Sequence, residues 1–214
     1  METTNKYIPA LRFHWLTPLY DQLVRRFMRE DLIRGRLVWL ADIQPGMRVL
    51  DLGCGTGTLT ILIKQSHVMS QVFGLDIDPQ ILNIATSKAR ENNVAISLEQ
   101  GLAYHLSFPN AWFDRIVSSL VFHHLTGQQK QQAFNEVYRV LQPGGRLYLL
   151  DFGMPHSAYG RLVSLVLRHN EQVLDNIRGI LPGMMRDAGF VNVSEIECFE
   201  TLFGSLSLFR ADKL

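Results

Sequence analysis

The stretch that most constrains this chain is Arg48 to Leu59, RVLDLGCGTGTL. An apolar run ends in an acid, glycines follow at alternate positions, and a second apolar run begins. Side chains are given up at Gly53, Gly55 and Gly57 just where the patterning turns from extended to helical. Glycine there allows a tight turn and lets another molecule approach the backbone. The stretch therefore predicts a strand, a glycine loop and a helix in succession.

Its surroundings extend that pattern. MRVLDL, VFGLDI, AISLEQ, DRIVSSL and GRLYLLDF are short, nearly uninterrupted apolar runs, as strands buried on both faces require. Helical patterns lie between them. Asp78-Pro79 reads as an N-cap with proline in the first turn, followed by Ile81, Ala85 and Ala89 on one face. After Thr126 a second stripe carries Phe134, Val137 and Leu141, and Pro143-Gly144-Gly145 is expected to stop it. Residues 153–188 read as helical, with Pro182 dividing them in two. FVNVSEIECF and TLFGSLSLFRAD alternate apolar and polar residues, as an antiparallel strand pair does. Strands alternating with helices predict an α/β fold with a mostly parallel sheet.

In such sheets ligands bind beyond the carboxyl ends of the strands, and the loop 51–57 sits at one. Its backbone N–H groups at the start of a helix are donors for a ligand. The spacing is G-x-G-x-G. A dinucleotide fingerprint, G-x-G-x-x-G, would place its third glycine at position 58, which is Thr58. Asp76 ends the second strand, 76 − 57 = 19 positions after Gly57, and can accept both hydroxyl hydrogens of a ribose. The acid argues for a nucleoside without choosing its class.

Composition narrows the rest. With 214 residues and 47% hydrophobic side chains, one sizeable core is expected. A formal net charge of +1 gives no global attraction to nucleic acid. The cysteines, Cys54 and Cys198, form no CxxC pair, so neither a disulfide framework nor a metal is expected, and a reducing cytoplasm fits. The start METTNKYIPALRF lacks the pattern of a secretory signal. No apolar run approaches the ~20 residues that span a bilayer. The basic stretch LVRRFMREDLIRGRLVWL reads as a solvated helix face, with peripheral contact to an anionic membrane as its alternative.

VLDLGCGTG resembles motif I of the class I S-adenosylmethionine-dependent methyltransferases. The resemblance continues in order through VFGLDIDPQILNIA, FDRIVSSLVFHHL and EVYRVLQPGGRLYLLDF. More loosely, YDQLVRRFM and the stretch from LPGMMRDAGF to the end are similar to the ubiquinone/menaquinone-biosynthesis methyltransferases. The resemblance implies a Rossmann-like seven-stranded sheet, mostly parallel, with helices on both faces and an antiparallel C-terminal strand pair. It implies one domain: a helical cap (1–45), a cofactor-binding core (46–152), and lid helices with the strand pair (153–214).

It also implies S-adenosylmethionine as cofactor and a small, hydrophobic acceptor: a quinol precursor, a lipid or a natural product. Gly53, Cys54, Gly55, Thr56 and Gly57 would line the cofactor, with Cys54 a small filler of a tight space rather than a nucleophile. Asp51 would position the methionine amino group, Asp76 the ribose, and Ile77 would lie on adenine. Ser118 and Ser119 would face the methionine end, and Tyr20 would cover the cofactor. Leu102 stands where relatives often carry an Asp. One polar contact to adenine, worth about 0.5–1.5 kcal/mol, is then missing, and the Ala103 backbone is left to serve it.

Methyl transfer from a sulfonium needs alignment and exclusion of water more than acid catalysis. A carbon or hydroxyl acceptor can still need a base, for which His123 and His124 stand after the fourth strand. His156 and Tyr159 open the lid and are candidates for substrate contact. A nicotinamide-dependent oxidoreductase is opposed by Thr58 and by LQPGG, and a base-amine methyltransferase by SSLV where a Pro-Pro-aromatic motif would stand. A binding homologue without turnover is the remaining alternative. Monomer and homodimer are both compatible with the sequence.

Overall fold

The structure is a computed structural model. It describes residues 30–167 and 171–214, without the side chains of Glu30 and residues 165–171. Tyr20 and the first part of the basic stretch lie outside the described residues.

Helix α1 (Glu30–Leu40) leads into β1 (Arg48–Leu52), α2 (Thr58–Ser66), β2 (Gln71–Asp76), α3 (Pro79–Glu91), β3 (Ser97–Gln100) and β4 (Phe113–Ser119). A 3₁₀ turn, Phe122–His124, precedes α4 (Gly127–Val140) and β5 (Leu141–Phe152). Then come α5 (Ala158–Leu167), α6 (Glu171–Ile177), α7 (Leu181–Asp187), β6 (Val191–Thr201) and β7 (Gly204–Asp212). The seven strands lie in the order β3-β2-β1-β4-β5-β7-β6. β7 alone runs against the direction of the other six strands, wedged between β5 and β6.

Alternation along the strands supplies two cores, one on each face. Leu50, Leu52, Ile116, Leu147, Leu149 and Phe209 pack under Phe134 and Val137 of α4 and Leu181 and Met185 of α7. Val49, Val117, Tyr148, Leu150 and Leu208 pack under Leu37 of α1 and Leu59 and Ile63 of α2. From β1 the chain steps outward through β2 to the β3 edge, then crosses back to β4 on the other side of β1. This reversal opens a crevice above the ends of β1 and β4.

The cap at Asp78 forms as read, and a second one is found at Thr126. Asp78 accepts from Gln80 N, and Thr126 forms a reciprocal capping box with Gln129. Three details differ from the sequence reading. The buried stripe of α3 is Leu82, Ala85 and Ala89, one position on from Ile81. Helix α4 ends at Val140 and β5 begins at Leu141, so Pro143-Gly144-Gly145 lies inside the strand as an irregularity in its pairing with β4. Gly144 (φ +80°) donates to Lys213 O at 2.9 Å, so the kink is paired to the end of the sheet. Finally, the helical stretch is broken ahead of Pro182 rather than at it. The break before α7 is at Gly179 (φ +72°), and Pro182 sits in the first turn of α7, where its missing N–H costs nothing.

Candidate active site

The three glycines all have left-handed backbones: φ is +76° at Gly53, +51° at Gly55 and +74° at Gly57. They leave room for different things. A Cβ on Gly53 would stand 2.3 Å from Val121 Cγ2, and one on Gly57 would stand 3.0 Å from Ala85 Cβ. Those two positions are small because protein fills the space. A Cβ on Gly55 would meet nothing within 4 Å, so here the backbone faces an open space that a ligand can enter. Gly57 caps α2 without a side-chain hydrogen bond of its own.

Asp76 closes one wall. Its Oδ2 accepts from Gly55 N at 2.8 Å and its Oδ1 from Asp78 N at 3.1 Å. The carboxylate is thus held by the loop it faces, and each oxygen retains a lone pair for a hydroxyl. Ile77 beside it is 43% exposed, unusual for isoleucine and suited to cover a flat ring. Gly101 N donates to Asp76 O at 2.9 Å and brings the half-buried Leu102 and Ala103 to the same side. Leu102 bridges to His105, and Ala103 packs on the core.

Asp51 is 1% exposed, and its Oδ2 accepts from Thr60 Oγ1 at 2.6 Å. Burial pushes its pKa up to about 6 despite the Thr60 bond and the nearby Arg34 charge. A cation bound there would be matched by the ionised carboxylate. Cys54 is buried, and burial, with the charges of Asp51 and Asp76, drives its thiol pKa well up. It is an inert filler, 2.9 Å from where a Cβ on Gly74 would stand. Thr56, partly buried, touches Thr58 Oγ1 at 3.5 Å, and Lys88 donates to Thr58 Oγ1. Ser118 is fully buried and its hydroxyl donates to Leu52 O at 2.8 Å, tying the ends of β1 and β4 together. Ser119, half-buried, is the last residue of β4.

The other wall is built around a residue the sequence reading passed over. Asp151, at the end of β5, is completely buried. Its Oδ2 accepts from the backbone N of Val121 (3.1 Å), Phe122 (2.7 Å) and His123 (3.3 Å). Its Oδ1 meets His123 Nδ1 at 2.9 Å, Phe152 N at 2.8 Å and Asn176 Nδ2 at 3.1 Å. Burial alone would raise this carboxyl's pKa. The His123 charge and hydrogen bond and the backbone N–H groups outweigh it and hold the pKa below the ordinary value. The loop so gripped begins at Leu120, a bulky residue at φ +60°, a strained backbone that must be over-determined by its surroundings. A signal for Asp151 did exist: an acid ending an apolar run, as at Asp51 and Asp76.

With Nδ1 engaged by Asp151, Nε2 is the nitrogen of His123 left to exchange a proton. The His124 ring lies beside it, centroids 4.0 Å apart. Crowding by surrounding atoms, then the neighbouring His123, lowers the His124 pKa to about 4, so His124 is neutral near pH 7. Helix α6 closes over this wall. Lys130 of α4, fully buried, donates to Gln172 O and Asp175 Oδ2, and Asn176 keeps a buried Oδ1 without a partner among the described residues.

His156 and Tyr159 do not join this cluster. His156 meets Glu195 of β6 at 3.1 Å, and the Tyr159 hydroxyl donates to Leu202 O at 2.8 Å in the β6–β7 turn. Both lie on the far side of β5 from the glycine loop.

Comparison with known proteins agrees with this geometry. Residues 49–145 match the family model described as a methyltransferase domain. The ubiquinone/menaquinone biosynthesis C-methyltransferase UbiE of Vibrio parahaemolyticus is 32% identical over 84% of this chain and 79% of its own length. The demethylmenaquinone methyltransferase of Deinococcus radiodurans is 36% identical over 80% of this chain and 70% of its own. Among solved structures, a Haemonchus contortus phosphoethanolamine N-methyltransferase 2 in complex with S-adenosyl-L-methionine shares the fold. Its TM-score is 0.68 at 17% identity, covering 84% of this chain and 52% of that one.

Proposed function

This chain belongs to the class I S-adenosylmethionine-dependent methyltransferases, in the family of the ubiquinone/menaquinone-biosynthesis enzymes, and from that membership we propose that it methylates a ring carbon of a quinol-type acceptor. The observation that carries the choice of carbon is the Asp151–His123 hydrogen bond, 2.9 Å long, at the strand ends beside the crevice. A ring carbon becomes nucleophilic when the neighbouring hydroxyl gives up its proton, and a base is then required. An amine acceptor asks for less.

The first wall fits the cofactor. Gly55 leaves its backbone open, Asp76 offers two oriented oxygens for ribose hydroxyls, and Ile77 offers an exposed apolar face for adenine. Asp51 is a buried acceptor for the methionine ammonium, and Leu102 and Ala103 complete the adenine side. When bound, S-adenosylmethionine supplies an electrophilic methyl group on a sulfonium. The chain's own residues do the rest. His123 takes the acceptor's hydroxyl proton at Nε2, the resulting imidazolium is stabilised by Asp151 through Nδ1–H, and a proton returns to the oxygen as the methylated ring carbon loses its own. The Oδ1 of Asn176, without a partner among the described residues, can receive a second hydroxyl hydrogen. Helix α6, held by buried Lys130, keeps water from the site. Neutral His124 serves as a wall rather than as the base.

The test is turnover of a short-chain demethylated quinol, kept reduced, with S-adenosylmethionine, read by mass spectrometry. One added CH₂ on carbon is expected. His123→Ala should lower kcat by about 10²–10⁴-fold while S-adenosylhomocysteine still raises the melting temperature. Methyl on oxygen, or full turnover in that variant, would overturn the reading.

A further inference from the structure

A second group of side chains gathers at the opposite edge of the sheet. A ring nitrogen of His156, a carboxylate oxygen of Glu195 and Cys198 Sγ all lie within 4.8 Å of one another, and all three residues are exposed. An irregularity of β6 brings two of them together. In an unbroken strand, residues three apart point to opposite faces. Here Glu195 stands opposite Phe209 and Glu197 opposite Leu208, so Ile196 is an extra residue in the ladder. The bulge sends Glu195 and Cys198 to the face that carries Phe209 and Ser207. Glu197 turns to the other face and pairs with Arg36 of α1. His156 arrives from the connection between β5 and α5.

We infer that His156, Glu195 and Cys198 form a three-ligand site for Zn²⁺ or another thiophilic divalent cation, with a fourth position open to water. Imidazole nitrogen, carboxylate oxygen and thiolate sulfur are the donor set such ions select. Bonds of about 2.0–2.3 Å in a tetrahedral arrangement place donor atoms roughly 3.3–3.8 Å apart. His156 Nε2 and Glu195 Oε1 are already 3.1 Å apart, and a small rotation of the exposed Cys198 side chain brings in the sulfur. Ser207, fully buried, donates to Glu195 Oε1 at 2.8 Å and orients the carboxylate, as hydrogen bonds from outside a ligand set commonly do. A plain surface ion pair between His156 and Glu195 would contribute at most about 1 kcal/mol and would leave Cys198 and the bulge without a role. Binding displaces the Cys198 thiol proton to solvent as the sulfur–metal bond forms. The ion would tie the segment that starts the lid helices to the edge strand.

The test uses Co²⁺ as probe on the full chain after treatment with a chelator. One equivalent should bind and give a thiolate-to-cobalt charge-transfer band in the near ultraviolet, which Zn²⁺ abolishes by displacement. Cys198→Ser should remove the band, and Ser207→Ala should weaken binding by about 10- to 100-fold. S-adenosylhomocysteine binding, unchanged in Cys198→Ser, shows that the variant is folded. No band at any Co²⁺ concentration, or a band that survives Cys198→Ser, would overturn the inference.

Discussion

Asp51 and Asp151 end two strands of the same sheet, are equally buried, and behave in opposite ways. Asp51 draws donors from Thr60 alone, its hydroxyl and its backbone N–H, and burial wins: its pKa rises to about 6. Asp151 has four backbone N–H groups, an imidazole and an amide, and the donors win: its pKa falls. Burial therefore does not decide a carboxylate's role; the supply of donors does. The β1 end is left electrostatically incomplete, which suits it to a cationic ligand. The β5 end is complete within the protein and holds a loop in place.

The largest effect should come from Asp151→Ala. It strands several buried donors at once, and a loss of about 3 kcal/mol or more should lower the melting temperature by roughly 6–12 °C. Asp51→Asn should be no less stable than the parent at pH 7.5 without ligand. An equal loss in both variants would break the comparison.

Among the glycines, Gly53→Ala adds a clash with Val121 to a left-handed backbone and should cost about 2–4 kcal/mol. Gly55→Ala meets only the backbone penalty, about 1–2 kcal/mol, yet should be the one that blocks S-adenosylhomocysteine. Denaturant midpoints and ligand titrations read the two separately.

The two acids also predict opposite pH responses. Asp51 is raised, so its contribution to stability is full below the unfolded value near 4 and is lost as pH rises through about 6. The span corresponds to about 3 kcal/mol at most. Ligand affinity runs the other way: S-adenosylhomocysteine should bind about tenfold more weakly for each pH unit below about 6, and Asp51→Asn should flatten that profile. Asp151 is depressed, so its contribution is present above the value near 4 and is lost as pH falls through its lowered pKa. Smallest of all, Ser118→Ala removes one hydrogen bond between β1 and β4, about 1 kcal/mol or 2–4 °C.

Much of this was legible in the sequence because it is local. VLDL, VFGLDI, the Asp78-Pro79 cap and the helix after Thr126 depend on neighbours in the chain, and each produced the element expected. The antiparallel pair showed in the alternation of FVNVSEIECF. What stayed hidden depends on partners distant in sequence. Gly53 and Gly57 read as ligand contacts until Val121 and Ala85 fill the space beside them. Asp151 carried the same pattern as Asp51, but its meaning rests on donors from residues 121–123 and 176. Ser118 looked like a group facing the ligand, yet Leu52 takes its hydroxyl. His156 looked like a lid residue until a bulge in β6 gave it other company.

The position of β7 bears on how the molecule is made. β5 gains its second neighbour only when residues 204–212 have been synthesised, because β7 lies between it and β6. On the ribosome the parallel units through β5 can assemble as they emerge. Until then β5 presents an unpaired edge of apolar strand, open to wrong partners. The strand that carries Asp151 is thus enclosed only when β7 arrives, although every donor to Asp151, from residues 121–123, 152 and 176, is synthesised before it.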